Sequence, residues 1–181
     1  MTDDPLGALG DAHELSARAR RYANGVISGE EWSLTDAHVD LDRVTFETST
    51  RMERKHGVCS ADGSGNCTIR LSEKTAERAG FSALKETIRH ELVHVFQRQT
   101  EGVETGHGES FKRWVEPLEL SGRCSSHYTP RADDYAYTFH CASCGFIGGR
   151  YRMCKTVRAA LDGALRCSLC GSDSIELREN R

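Results

Sequence analysis

His90-Glu91-Leu92-Val93-His94 is the segment of this chain with the most pointed chemistry. On an α-helix, positions four apart share one face, so both imidazoles can bind one zinc ion. Glu91, about 100° round the helix, reaches a water on that metal. Zinc brings the pKa of bound water towards neutrality and polarises a carbonyl. A carboxylate placed there takes the water's proton during attack on a peptide bond and passes it to the leaving amine. Two histidines and an acid also meet on ordinary surface helices, so context must decide. A second pattern is Cys141-x-x-Cys144 with Cys167-x-x-Cys170, each pair followed by a glycine, Gly145 and Gly171. Paired thiolates on such turns suit a structural zinc held by four cysteines. A redox or disulfide pair would not explain two matching knuckles.

A catalytic zinc takes three protein ligands and keeps a fourth position open. The metzincin extension would need glycine at position 97 and histidine at position 100. The chain has Gln97 and Thr100, which excludes that class. A thermolysin-like site would draw a carboxylate from the next helix, where Glu116 and Glu119 stand. The third choice is His107, between Gly106 and Gly108, where the backbone can turn sharply before a helix anchored by Phe111 and Trp114. His107 is the favoured choice; its plain reading is an exposed loop histidine.

Ile69-Arg70-Leu71-Ser72, Thr87 to His94 and Gly106-His107-Gly108-Glu109-Ser110-Phe111 together resemble the SprT-like zinc metallopeptidase family, related to the Spartan proteases that degrade proteins crosslinked to DNA. The resemblance spans roughly residues 10 to 180 and is most specific from Ile69 to Trp114. It implies that His90, His94 and His107 bind the catalytic zinc and that Glu91 is the acid/base. It agrees with a C-terminal zinc ribbon on Cys141, Cys144, Cys167 and Cys170, which makes two zinc ions in all.

Inside the ribbon's connection, Arg150, Tyr151, Arg152, Lys155 and Arg158 combine cations with an aromatic ring. Cations can meet phosphates and Tyr151 can stack on an unpaired base. The plain reading is a solvated charged face, and the family resemblance favours single-stranded or damaged DNA. Tyr128 and Arg131 are candidates for stabilising an oxyanion. Cys59, Cys67, Cys124 and Cys154 are read as reduced thiols, with Cys67 in the core.

Helices and a sheet must position these groups. Asp11 and Glu14 form a capping box ahead of a helix with Leu15, Ala19, Tyr22 and Val26 on one face. Strands are expected around Val39 to Phe46 and Cys67 to Leu71, separated by the turn Ala61 to Asn66. Residues 72–80 read as a short helix or irregular approach. A helix over 82–99 carries the stripe Leu84, Ile88, Leu92 and Val95. Residues 101–108 are a loop, and 109–120 a further helix that Pro117 can kink. Tyr135, Tyr137 and Phe139 alternate as in a strand.

The expected fold class is α+β. A zincin-like minimal metalloprotease core packs helices on a small antiparallel sheet and is followed by a β-rich zinc ribbon. Residues 1–120 form the core, 121–134 a linker and 135–181 the ribbon. The 181 residues carry a net charge of -3, which predicts no global attraction to nucleic acid. No stretch approaches a membrane span, and the acidic N-terminus lacks a signal-peptide pattern, so the expected location is cytoplasmic. The activity these readings predict is endopeptidase action on DNA-bound or DNA-crosslinked proteins, a DNA-repair role. A DNA-independent metallopeptidase and a non-catalytic zinc-binding adaptor are the alternatives.

Overall fold

Leu15, Ala19, Ala23 and Val26 recur every three or four residues, and the chain from Ala12 to Ser28 winds into a helix, α1, that buries them. The computed structural model describes residues 12–29, 31–121 and 128–180. The capping box at Asp11 and the thiol of Cys124 lie outside these. Two compact units divide the chain, Met1–Tyr128 and Thr129–Arg181.

In the first unit, Leu41–Arg43 is a 3-10 helix where a strand is expected. The Asp40 carboxylate accepts from the Asp42 N–H at 3.0 Å, and the Gln99 amide holds the Asp40 backbone on both sides. That local bond and the distant grip of Gln99 together outcompete the extended backbone that Val39 and Leu41 suggest. Strand β1 (Val44–Ser49) follows, then β2 (Gly57–Ala61) and β3 (Cys67–Ser72). The strand order is β1-β3-β2. β3 pairs parallel to β1, from Val44↔Cys67 to Ser49↔Ser72, and antiparallel to β2, from Gly57↔Leu71 to Ala61↔Cys67. The sheet is therefore mixed, a correction to the antiparallel expectation. β2 supplies the return pass that lets β1 and β3 run the same way.

Helix α2 (Glu73–Gln99) opens on Ser72, whose hydroxyl accepts from the Thr75 N–H at 3.2 Å. It breaks at Gly80, where φ is 77° and ψ is 170°, a conformation glycine adopts without a Cβ clash. Beyond that break Leu84, Ile88, Leu92 and Val95 are fully buried. Burying each such side chain contributes roughly 1.5–3 kcal/mol, which makes this face the main tie between the helix and the sheet.

Helix α3 is only Glu109–Lys112, shorter than the expected 109–120. Its bonds tighten to the three-residue step Trp114 N–H to Phe111 O, and Pro117 lacks the N–H and crowds the preceding turn. The apolar face survives the change: Phe111, Trp114 and Leu118 are buried.

The second unit holds a 3-10 turn at Ala132–Asp134, β4 (Tyr137–Cys141), β5 (Gly145–Arg150), α4 (Lys155–Leu161) and β6 (Ile175–Glu179). Its sheet has the order β5-β4-β6 with antiparallel pairs throughout. The Asn180 amide donates to the carbonyls of Ala132 and Tyr135 at 3.1 and 3.0 Å, closing the unit on itself.

Candidate active site and metal centres

The buried stripe of α2 turns the opposite edge of the helix, with His90 and His94, towards a cleft of about 590 Å³. His107 lines the same cleft from the loop before α3. Gly106 has φ of 107°, so the chain reverses there and brings His107 back over the helix. The Nε2 atoms of His107 and His90 lie 3.0 Å apart. One ring nitrogen from each of His90, His94 and His107 falls within 4.8 Å of the others. Nitrogens at about 2.0–2.1 Å from a tetrahedral zinc stand about 3.3 Å from each other, so the three donors fit that ion. Phe111 closes the underside, with its ring centroid 4.6 to 5.1 Å from all three imidazoles. Burial lowers His90 to about 4, helped by His94 and His107, and burial also lowers His94. Neutral imidazoles are the form that ligates metal. Glu116 and Glu119 are exposed and stand outside the three-histidine group.

Glu91 is 6% exposed. Burial raises its carboxyl to about 7, against the backbone N–H of Cys59, which holds it down. The cover comes from β2. Gly57 packs so tightly that a Cβ there would lie 2.5 Å from Thr87 Cγ2 and 3.2 Å from Glu91 Cγ. A Gly57→Ala substitution is expected to cost roughly 1–3 kcal/mol through overpacking. It should lower the Tm and depress kcat by moving Glu91; an unchanged Tm and kcat would refute this reading of the contact.

Arg89 fixes the helix from its far side. Its guanidinium lies 4.7 Å over Trp32 and donates to Leu118 O at 2.8 Å and to Tyr22 Oη at 2.6 Å. Tyr128 packs its ring against His56, with centroids 6.1 Å apart, and does not line the cleft. The Arg131 backbone N–H is held by Asp134 at 2.7 Å.

In the second unit Cys141, Cys144, Cys167 and Cys170 converge, each offering a sulfur within 4.8 Å of the rest. Cys141 and Cys170 Sγ are 3.6 Å apart, close to the edge of about 3.8 Å for four thiolates at 2.3 Å from zinc. The Ser143 N–H, first among several causes, lowers Cys141 to about 6, while sharing a proton with Cys170 raises Cys144 to about 12. Four adjacent thiolates need a cation between them, and the donor set fits zinc. Cys67 is buried in the first sheet, and Cys59 lines the cleft.

The basic candidates lie on the ribbon's surface. Arg150 ends β5, with its guanidinium 5.8 Å over Phe139. Tyr151 packs against Tyr135, with ring centroids 4.8 Å apart and planes tilted by 42°. Arg152, Lys155 and Arg158 are exposed, the last two on α4. No helix among the described residues is long and apolar enough to cross a membrane.

An α+β architecture with a three-imidazole cluster beside a buried carboxylate, and a separate four-thiol cluster, defines a protein with two candidate metal sites. The SprT-like family profile matches residues 20–129, more than half of the chain, and the chain belongs to that family. The chain is similar to the DNA-dependent metalloprotease SPRTN of several vertebrates. It is 36% identical to the human protein over 134 residues, 61% of this chain and 27% of that one. The zebrafish protein is 32% identical over 127 residues, 60% of this chain and 20% of that one. The rat protein is 35% identical over 164 residues, 77% of this chain and 32% of that one. The chain spans about a fifth to a third of the length of these relatives.

Sequence reasoning missed Gln97, Gly57 and the Cys59 backbone as parts of this site. Gln97 had a signal, being a polar residue one helical turn from Val93 on a buried face. Gly57 and Cys59 had none, since β2 carries a single large aliphatic residue, Val58.

Proposed function

We propose that this chain is a zinc-dependent endopeptidase with a zincin-like core that acts on proteins bound or crosslinked to DNA. The observation that carries the reading is the meeting of His90, His94 and His107 with the buried carboxylate of Glu91 in one cleft. The three imidazoles would hold the catalytic zinc, and the four cysteines a structural one. Zinc in the first site would supply a Lewis acid able to acidify a water molecule and polarise the scissile carbonyl. Glu91 would take a proton from the attacking water and deliver it to the leaving amine. The Cys59 N–H and the cover of β2 hold its carboxylate in place. β2 is an edge strand lining the cleft, so its outer edge can pair with an extended peptide. A structural zinc site would have no use for a buried base beside it, which weighs against a non-catalytic adaptor.

The DNA dependence of the SPRTN relatives supports DNA as activator or scaffold. Residues 135–181, with Arg150, Tyr151, Arg152, Lys155 and Arg158, would be the DNA anchor. Replacing Arg152 and Lys155 together by alanine should weaken single-stranded DNA binding in fluorescence anisotropy. The plot of log affinity against log salt should become shallower by roughly 1.4, two lost phosphate contacts. An unchanged slope would remove these residues from the interface.

The experiment that tests the whole reading is elemental analysis of the wild type and of His107→Ala, followed by cleavage of a DNA-bound protein with and without single-stranded DNA. Two zinc ions falling to one, with DNA-stimulated cleavage by the wild type, is the expected result. Two zinc ions in both would transfer the third ligand elsewhere. Equal cleavage with and without DNA would favour a general metallopeptidase, and one zinc in both would favour a binding module.

A further inference from the structure

Gln97 is 2% exposed, and its side-chain amide uses its full hydrogen-bonding capacity inside the first unit. The backbone N–H of Gly106 donates to Oε1 at 3.2 Å, and Nε2 donates to the Gly106 carbonyl at 2.8 Å and to Ser110 Oγ at 2.9 Å. Ser110 in turn donates to the Glu104 carbonyl at 2.6 Å. A backbone N–H can only donate and a carbonyl can only accept, so Gly106 settles which end of the amide is oxygen. His94 Nδ1 lies 2.9 Å from that same Oε1. Facing an acceptor, Nδ1 must carry the proton. Nε2 of His94 is then left with its lone pair, the donor this residue has for the three-histidine cluster.

We propose that Gln97 is a positioning residue of the histidine site, one amide that sets the tautomer of His94 and grips the loop that delivers His107. The inference rests on the zinc-site reading above. It joins two tasks that a metal site built from a helix and a loop must solve together. A ligating imidazole needs its second nitrogen held by an acceptor, and partners of this kind are worth roughly 10–100-fold in metal affinity. A loop ligand needs its backbone pinned to the element that carries the other ligands. Glutamine serves both because its oxygen and nitrogen are fixed relative to one another. Apolar packing alone would leave a leucine or methionine as suitable at a position so deeply buried.

The test compares the full zinc-loaded chain with Gln97→Met, Gln97→Glu and Ser110→Ala. Chelator competition measures the affinity of the histidine site. Long-range proton–nitrogen correlation spectra report which nitrogen of His94 bears hydrogen, both with zinc and after a chelator too weak to strip four thiolates has emptied the histidine site. The wild type should show a protonated Nδ1 in both states. Gln97→Met should lose zinc affinity by roughly 10–100-fold and show mixed His94 tautomers once emptied, with the cysteine site unaffected. Gln97→Glu keeps an acceptor towards His94 and should restore the Nδ1–H signature. Ser110→Ala should leave the tautomer unaltered. Unchanged affinity in Gln97→Met, or a protonated Nε2 in the emptied wild type, would overturn the proposal. Should Gln97→Met fail to fold, Gln97→Glu and the wild-type spectra still decide it. A wild type that carries only the thiolate zinc would sink the zinc-site reading itself, a separate and visible outcome.

Discussion

Glu91→Gln is expected to lower peptide cleavage by roughly 10²–10⁴-fold while leaving two zinc ions per chain. The change is nearly isosteric. The amide oxygen can still accept the Cys59 N–H, and the position beneath β2 stays filled. What disappears is the capacity to take up a proton. Glu91 stands outside the three-imidazole group, so the donor set for the metal is intact. Removing a buried carboxylate relieves a desolvation cost, so the Tm should hold or rise. Activity, zinc content and Tm measured on one preparation separate the explanations. Loss of zinc in parallel with activity would make Glu91 a structural element of the metal site. Wild-type turnover would remove the proton-transfer role altogether.

The contrast between that position and its surroundings also explains what the sequence disclosed and what it hid. The two imidazoles of α2 and the stripe on its opposite face follow from the 3.6-residue period, which is a local property of the chain. The four cysteines were legible for the same reason, because two-residue spacing and a following glycine are local requirements of a thiolate knuckle. The return of His107 depends on a backbone reversal at Gly106, and spacing alone left Glu116 and Glu119 in competition. The sheet was misread because β2 has a weak apolar pattern. Its place is set by contact with Thr87 and Glu91 and by pairing with β3, which are interactions distant in sequence. The segment at Leu41 was drawn into a 3-10 turn by the side chains of Asp40 and Gln99, and the second of these arrives from the far end of α2. Local chemistry was readable; the tertiary contacts that shape the cleft were not.

A second large effect is expected in the Thr129–Arg181 unit. Replacing Cys167 by serine, or withdrawing the metal with a strong chelator, should abolish the fold of this unit while the first unit persists. Its buried apolar side chains are few. Phe139 and Val157 are the large ones, and the remaining buried positions are led by Cys141 and Cys167 themselves. A unit of this size with so small a core cannot offset the conformational entropy of its backbone unaided. The four thiols bridge the start of β5, the end of β4 and the loop before β6, so one ion ties together three strands that otherwise share main-chain bonds and a few side-chain contacts such as Arg150 over Phe139. Binding free energies of roughly 10–16 kcal/mol for structural zinc at neutral pH are ample for the task. Hydrogen exchange should therefore show β4, β5 and β6 losing protection together in Cys167→Ser. The amides of Leu84 to Val95 should stay protected, because their burial comes from the first unit's own core. Persistent protection of β4 in the variant would mean that side-chain packing alone sustains the ribbon. Simultaneous loss in α2 would mean that the two units fold as one cooperative body.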